Sequence, residues 1–259
     1  MHMERRLSTL RDAWGETHNP VVVGSSPTRP TKIFERSVVS SIAVISHKSV
    51  AHELGLLQEW ADARGHSINR FFREDEWNEE VILSADLVIA MGSPNSVATG
   101  FVHESADREI ALMQKRIAQE ESLFGICYGA QALAVALGGE VSRRQSANTG
   151  FKKVTLHEDS IDAGGWALWH EDMVEPSSLK QVSGVEVVGT DAGAVIAFRQ
   201  GSAWGVQFHP EVDSDGLGRM LSAIGIPNAT WAAAVAEMKA DESGHRERAF
   251  ALFDTVSGL

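Results

Sequence analysis

An α/β fold built on a doubly wound, mostly parallel sheet, with an antiparallel extension and C-terminal helices, is the architecture this sequence predicts. Three observations carry that expectation. In the first half, short apolar runs alternate with longer segments of helical periodicity. Beyond about residue 140 the runs shorten and crowd together between turn signals. Between the halves lies one tight strand-to-helix junction, Phe124-Gly-Ile-Cys-Tyr-Gly-Ala-Gln131. Alternating strands and helices imply parallel pairing through crossover helices, whereas closely spaced short strands imply antiparallel pairing.

The elements follow in order. Residues 1–37 are polar and broken by Asn19-Pro20, Ser26-Pro27 and Arg29-Pro30, which reads as a leader with a short helix around Leu7 to Trp14. Ser41-Ile-Ala-Val-Ile-Ser46 is a buried-strand run, and a helical pattern from Val50 to Arg64 puts Leu54, Leu57 and Trp60 on one face before Gly65 ends it. Strands are expected at Ser67 to Phe72 and at Asp86 to Met91. A helix over His103 to Glu120 then leads into the strand Leu123 to Ile126 and a helix from Ala130 to Leu137. Short strands follow at Val141, Phe151 to Leu156, Val185 to Gly189, Ala194 to Phe198 and Trp204 to Phe208, with Asp191-Ala-Gly193 and Gln200-Gly201 as turns. Residues 225–259 read as a helical extension with helices at Thr230 to Lys239 and Ser243 to Thr255. Their Trp231, Phe250, Leu252 and Phe253 are expected to dock on the domain formed by residues 38–224.

Composition excludes several function classes. A net charge of −12 and a pI near 5.3 disfavour both a nucleic-acid partner and an anionic membrane surface. The first sixteen residues lack the apolar core of a secretory signal, so a cytoplasmic location is expected, where a single cysteine stays a free thiol. No Walker loop and no Gly-x-Gly-x-x-Gly follows a strand, so no nucleotide or other cofactor is expected. His157, Glu158 and Asp159, and likewise Asp213 and Asp215, lack a spaced counterpart and read as solvated turns, so no metal is expected.

The chemistry centres on Cys127. A lone cysteine after a strand is by itself more often a buried structural residue. Here Gly125 and Gly129 flank it, as they must where a chain turns from strand into helix so sharply that its neighbours have no room for side chains. A helix N-terminus also favours the thiolate, the reactive form of cysteine. A nucleophile needs a base, and a base needs a group to orient it. Of ten histidines, His209 is best placed, because Trp204-Gly-Val-Gln-Phe-His-Pro-Glu211 ends an apolar strand, with Glu211 two residues on to fix the tautomer.

Gly125-Ile-Cys-Tyr-Gly-Ala-Gln131, followed about eighty residues later by Phe208-His-Pro-Glu211, resembles the class I (triad) glutamine amidotransferases, and the resemblance runs from about Ser41 to Ile224. It implies a flavodoxin-like arrangement and a Cys127–His209–Glu211 triad. Met91-Gly92-Ser93-Pro94 falls where that family carries an oxyanion loop, which implies backbone donors at Ser93 and Tyr128. It further implies substrate contacts from Gly92, Gln131 and a turn at Trp169-His170-Glu171-Asp172. Ser93 and Glu171 depart from the family pattern, which has glycine at both places. Trp166 and Trp169 approach the same turn. The activity implied is hydrolysis of glutamine through a γ-glutamyl thioester, with ammonia passed to a separate synthetase partner and weak turnover in isolation. A stand-alone hydrolase of γ-glutamyl amides is the alternative, and a catalytically silent regulatory scaffold, which would require a lost triad, is a third.

Overall fold

A computed structural model describes residues 40–50, 54–157, 159 and 161–259, and the leader expected at residues 1–37 lies outside them. Apolar residues along β1 (Ser41–Ser46) and at every position of β3 (Leu87–Ala90) leave neither strand a polar face, so both must be covered on two sides. The two faces are fed by alternate residues. Ile42, Val44, Leu87, Ile89, Phe124 and Ile126 pack with α1 (Leu56–Arg64) and α8 (Glu242–Ser257). Ala43, Ile45, Val88, Ala90 and Leu123 pack with α3 (Ala106–Ala118) and α4 (Tyr128–Ala136).

Among the described residues the sheet has eleven strands. From one edge, β2 (Ser67–Phe72), β1, β3, β4 (Ser122–Ile126) and β10 (Ala203–Val206) run parallel. The second half of the chain adds antiparallel strands: β9 (Ala194–Gln200) on β10, and β7 (Gly165–Val174) on β9 through Val174 and Val195. β5 (Val141–Lys153) and the two-residue β11 (Phe208–His209) pair with β7, while β8 (Glu186–Asp191) joins β9 to β6 (Thr155–Leu156). The expected parallel core, antiparallel extension and C-terminal helices are all present.

Four local expectations differ from the structure. Of the helix expected from Val50 to Arg64, the span from Leu56 is present as α1 and Gly55 before it leaves helical geometry at φ 50° and ψ −127°, while residues 51–53 lie outside the described residues. β7 runs straight through residues 169–172 in place of the expected turn, and β5 extends over residues 141–153 instead of touching only Val141 and Phe151 onward. Asp213 is not merely a solvated turn residue. Its carboxylate accepts the Gly216 N–H and caps α6 (Ser214–Ala223). Two short helices, α2 (Glu79–Leu83) and α5 (Pro176–Leu179), complete the inventory before the tail among the described residues.

The C-terminal helices pack against the sheet and its covering helices. Leu252 and Phe253 of α8 are buried against Trp60 and Phe124, and Asp254 accepts hydrogen bonds from Trp60 Nε1 at 2.8 Å and Arg64 Nη2 at 2.6 Å. Trp231 of α7 (Asn228–Ala240) packs with Leu217 and Leu221 of α6.

Candidate active site

The carboxyl ends of β3, β4 and β10 meet at one edge of the sheet, where open α/β folds bind their ligands. Cys127 follows β4 and precedes the first turn of α4, with φ 53° and ψ −109°, a strained conformation for a residue with a side chain. Its N–H donates to the Val206 carbonyl at 2.8 Å, which ties the bend to β10. The flanking glycines are there for want of space. A Cβ on Gly129 would lie 1.9 Å from the Ala90 carbonyl oxygen, and one on Gly125 would lie 2.5 Å from the Gly129 oxygen.

β11 pairs with β7 and places His209 beside Cys127. His209 and Glu211 are 3% and 4% exposed, and Nδ1 lies 2.8 Å from Glu211 Oε1, which leaves the other side of the ring for the sulfur. Burial disfavours a charged imidazole here. The Glu211 carboxylate and Cys127 outweigh it and hold His209 protonated well above the usual histidine range. The second Glu211 oxygen, Oε2, has no hydrogen-bond partner among the described residues. The Glu211 backbone is gripped from α1: its carbonyl accepts the Leu56 N–H at 2.8 Å, and a Cβ on Gly55 would stand 2.2 Å from the same oxygen.

Gly92, on the loop after β3, also sits against the pair. A Cβ there would lie 3.2 Å from His209 Cε1 and 3.8 Å from Cys127 Cβ. Ser93 turns its hydroxyl back to accept the Asn95 N–H at 3.1 Å. Tyr128 opens α4, where helix N–H groups have no intrahelical acceptor, and its ring is buried. A cavity of about 60 Å³ lies between Gly92, Ser93, Cys127, Trp169, His209 and Ile224. A wider groove of about 900 Å³ runs along α6 and α7 and touches the site through Glu211.

Three further residues of the expected substrate set, Gln131, His170 and Glu171, are not among those lining this cavity. Gln131 is 3% exposed and spends its amide N–H groups on the Asp172 carbonyl at 3.2 Å and Gln207 Oε1 at 3.0 Å. His170 is equally enclosed: Nδ1 donates to the Asp172 carbonyl at 2.7 Å, so Nε2 is left to accept from Asn148 Nδ2 at 3.2 Å. Burial holds its pKa down at about 4. On strand β7 the side chains alternate, so Glu171 faces solvent, 3.2 Å from Arg143. Trp169 is the member of that segment that reaches the site, with its carbonyl 3.9 Å from Cys127 Sγ. Trp166 instead stacks on Phe208 in the core, ring centroids 4.5 Å apart.

Sequence reasoning missed Arg73, which follows β2. It binds Glu109 of α3 through two hydrogen bonds of 2.7 and 2.8 Å and also reaches the Met91 and Gly92 carbonyls at 2.7 and 3.2 Å. Thirty-six positions separate the two charges, so neither spacing nor periodicity signals the pair. Gly55 was detectable, as an isolated glycine inside a helical pattern. Among the described residues no three His, Cys, Asp or Glu side chains converge as a metal site would require, and no helix is long and apolar enough to cross a membrane.

Residues 56–223 match the family model described as Glutamine amidotransferase class-I. A GMP synthase [glutamine-hydrolyzing] of Pyrobaculum aerophilum is 32% identical over 156 residues, which are 55% of this chain and 28% of the relative. This chain therefore spans little more than a quarter of that protein's length. A GMP synthase [glutamine-hydrolyzing] of Saccharolobus solfataricus that is named as one subunit of its enzyme is 30% identical over 143 residues, 51% of this chain and 71% of that protein. In fold, the chain is similar to solved glutamine amidotransferase structures from Thermotoga maritima, with TM-score 0.68 and 19% identity over 85% of this chain and 99% of that one, and from Methylobacillus flagellatus, with TM-score 0.71 and 16% identity over 85% and 94%.

Proposed function

The chain belongs to the class I glutamine amidotransferase family, and from that premise we propose that it hydrolyses the γ-carboxamide of glutamine through Cys127, His209 and Glu211. The Cys127 thiolate attacks the carboxamide carbon, and the oxyanion that forms is held by the backbone N–H groups of Ser93 and Tyr128. His209, protonated on the side facing the sulfur, gives its proton to the departing nitrogen; the C–N bond breaks and ammonia leaves a γ-glutamyl thioester. Water then attacks the thioester while His209 takes its proton, the C–S bond breaks, and glutamate and the thiolate are released. Glu211 keeps the imidazole in the tautomer and orientation both steps need. The observation that carries this reading is the alignment of Cys127, His209 and Glu211, in that order, at the carboxyl edge of the sheet, with a 2.8 Å contact between the last two.

Free ammonia is mostly protonated at neutral pH, so a separate synthetase partner is the proposed acceptor. The likeness to a protein named as one subunit of a larger synthase supports that arrangement. One observation favours the stand-alone γ-glutamyl amide hydrolase instead: Arg73 already holds the Met91 and Gly92 carbonyls, so the loop does not need a partner to order it. Assay of glutamate and amine release by the purified chain, on glutamine and on a panel of γ-glutamyl amines, tests both. Glutamine hydrolysis abolished in Cys127→Ser is the expected result, and rapid turnover confined to γ-glutamyl amines would favour the second reading. If a glutamine analogue with an electrophilic diazoketone leaves Cys127 of the folded protein unlabelled, the nucleophile assignment is wrong.

A further inference from the structure

Arg73 and Glu109 form an ion pair whose side chains are 2% and 1% exposed. Taking two charges out of water is costly, and their mutual attraction repays it only when the remaining donors and acceptors are satisfied. Here the donors left over from Glu109 are spent on one target. Nη2 reaches the Met91 carbonyl at 2.7 Å and Nη1 the Gly92 carbonyl at 3.2 Å, and the guanidinium lies 4.7 Å from the centre of the Tyr128 ring. The cation thus touches both segments from which the proposed oxyanion donors come. It reaches the loop through the carbonyls that precede Gly92 N–H and Ser93 N–H, and it reaches the first turn of α4 through the ring of Tyr128.

A trans peptide points its C=O and its N–H in opposite directions. With the Gly92 carbonyl held by Arg73, the Ser93 N–H must face away from Arg73, while a Cβ on Gly92 would point at the catalytic pair, 3.2 Å from His209 Cε1 and 3.8 Å from Cys127 Cβ. We propose that Arg73, braced by Glu109, is a positioning residue that fixes the Gly92–Ser93 peptide with the Ser93 N–H presented to the oxyanion formed on Cys127. The inference rests on the proposed amide hydrolysis for its functional consequence, though its structural half stands apart from it. Arginine suits the task because its planar fork serves Glu109 on one edge and two carbonyls on the other. Lysine, a single ammonium, cannot serve all three.

The test separates geometry from chemistry. In a crystal structure of Arg73→Met the Gly92–Ser93 peptide is expected to rotate, and a peptide that keeps its orientation would overturn the inference whether or not the chain is a glutaminase. Kinetically, kcat on glutamine is expected to fall ~10²–10³-fold with KM changed little, the loss typical of one oxyanion donor. Alkylation of Cys127 by iodoacetamide is a displacement that builds no oxyanion, so its rate should stay within about twofold. Parallel loss of alkylation and turnover would mean a general structural role and would refute the proposal. Arg73→Lys should recover part of kcat. Should Arg73→Met fail to fold, Glu109→Gln keeps the shape of the brace without its charge and is read by the same three measurements. A rotated peptide in a chain whose wild type hydrolyses no γ-glutamyl amide would leave the positioning role intact and sink the functional reading alone.

Discussion

Glu211→Gln isolates the contribution of one charge to the proposed relay. The carboxylate lies 2.8 Å from His209 Nδ1, and the His209 and Glu211 side chains are only 4% and 5% exposed. At that distance and an effective dielectric constant of about 20, the attraction between a carboxylate and an imidazolium is about 6 kcal/mol. Burial of the imidazolium opposes part of this, so the net loss expected on neutralising Glu211 is about 3–5 kcal/mol of barrier, or ~10²–10⁴ in kcat. Glu211 Oε2 has no partner among the described residues, so nothing there forces the new amide to turn its NH₂ toward His209. A glutamine can keep its oxygen on Nδ1 and preserve the tautomer, which places the expected loss toward the lower end. The same change removes a group that raises the His209 pKa against burial, so the limb of the pH profile that reports loss of the His209 proton moves to lower pH. Steady-state glutamate release across pH, with thermal unfolding to verify the folded fraction, measures both effects. A variant within about threefold of wild type and with an unmoved limb would refute the relay as drawn.

Two further outcomes follow from the same structure. His170 is held neutral by burial, with a pKa of about 4 against an ordinary 6.5, so as pH falls from about 6.5 toward 4 the unfolded chain takes up a proton that the folded chain does not. Stability should drop over that window by about 3 kcal/mol. Urea unfolding at pH 7 and pH 4.5 should show this in wild type and a shallower fall in His170→Gln. Gly129→Ala places a methyl 1.9 Å from the Ala90 oxygen and 2.6 Å from its carbonyl carbon, backbone atoms that cannot swing aside. The expected cost is at least the ~1–3 kcal/mol of ordinary overpacking, seen as a melting temperature lower by several degrees together with slowed alkylation of Cys127.

What was legible in the sequence is what local sterics demand. Gly125 and Gly129 are required by contacts within one strand–helix junction, and His209, Pro210 and Glu211 lie within three positions of a strand end, so each appears as a short pattern. The parallel strands were legible because burial on two faces leaves uninterrupted apolar runs such as Ile42 to Ile45. β5 was not, because it carries Arg143, Arg144, Gln145 and Asn148, with a register shift between Arg143 and Asn148. In β7 the resemblance to a turn masks a simpler pattern, since Trp166, Leu168, His170, Asp172 and Val174 alternate as a half-buried strand does. Arg73 and Glu109 look like ordinary surface charges of a loop and a helix, since only the packing of α3 over the sheet brings them together.

The two departures from the family's glycines therefore bear differently on whether the site needs a partner. Glu171 raises the prospect of a carboxylate crowding a ligand. Strand alternation sends it outward toward Arg143, while Asp172, on the inward side, is bound by Ser96 at 2.6 Å and by Arg143 Nε at 2.6 Å. Ser93 adds a side chain to the loop, but its hydroxyl turns back onto the Asn95 N–H and closes a local turn instead of filling the cavity. Neither side chain is in conflict with a preformed pocket. The remaining source of dependence is the loop peptide itself, and its carbonyls are fastened by a guanidinium that belongs to the same chain. The sequence alone favours a chain that is weakly active without its partner. If the proposed oxyanion role holds, its geometry is set within the chain, and a synthetase partner would act on access to the 60 Å³ cavity and on the fate of ammonia rather than on the chemistry at Cys127.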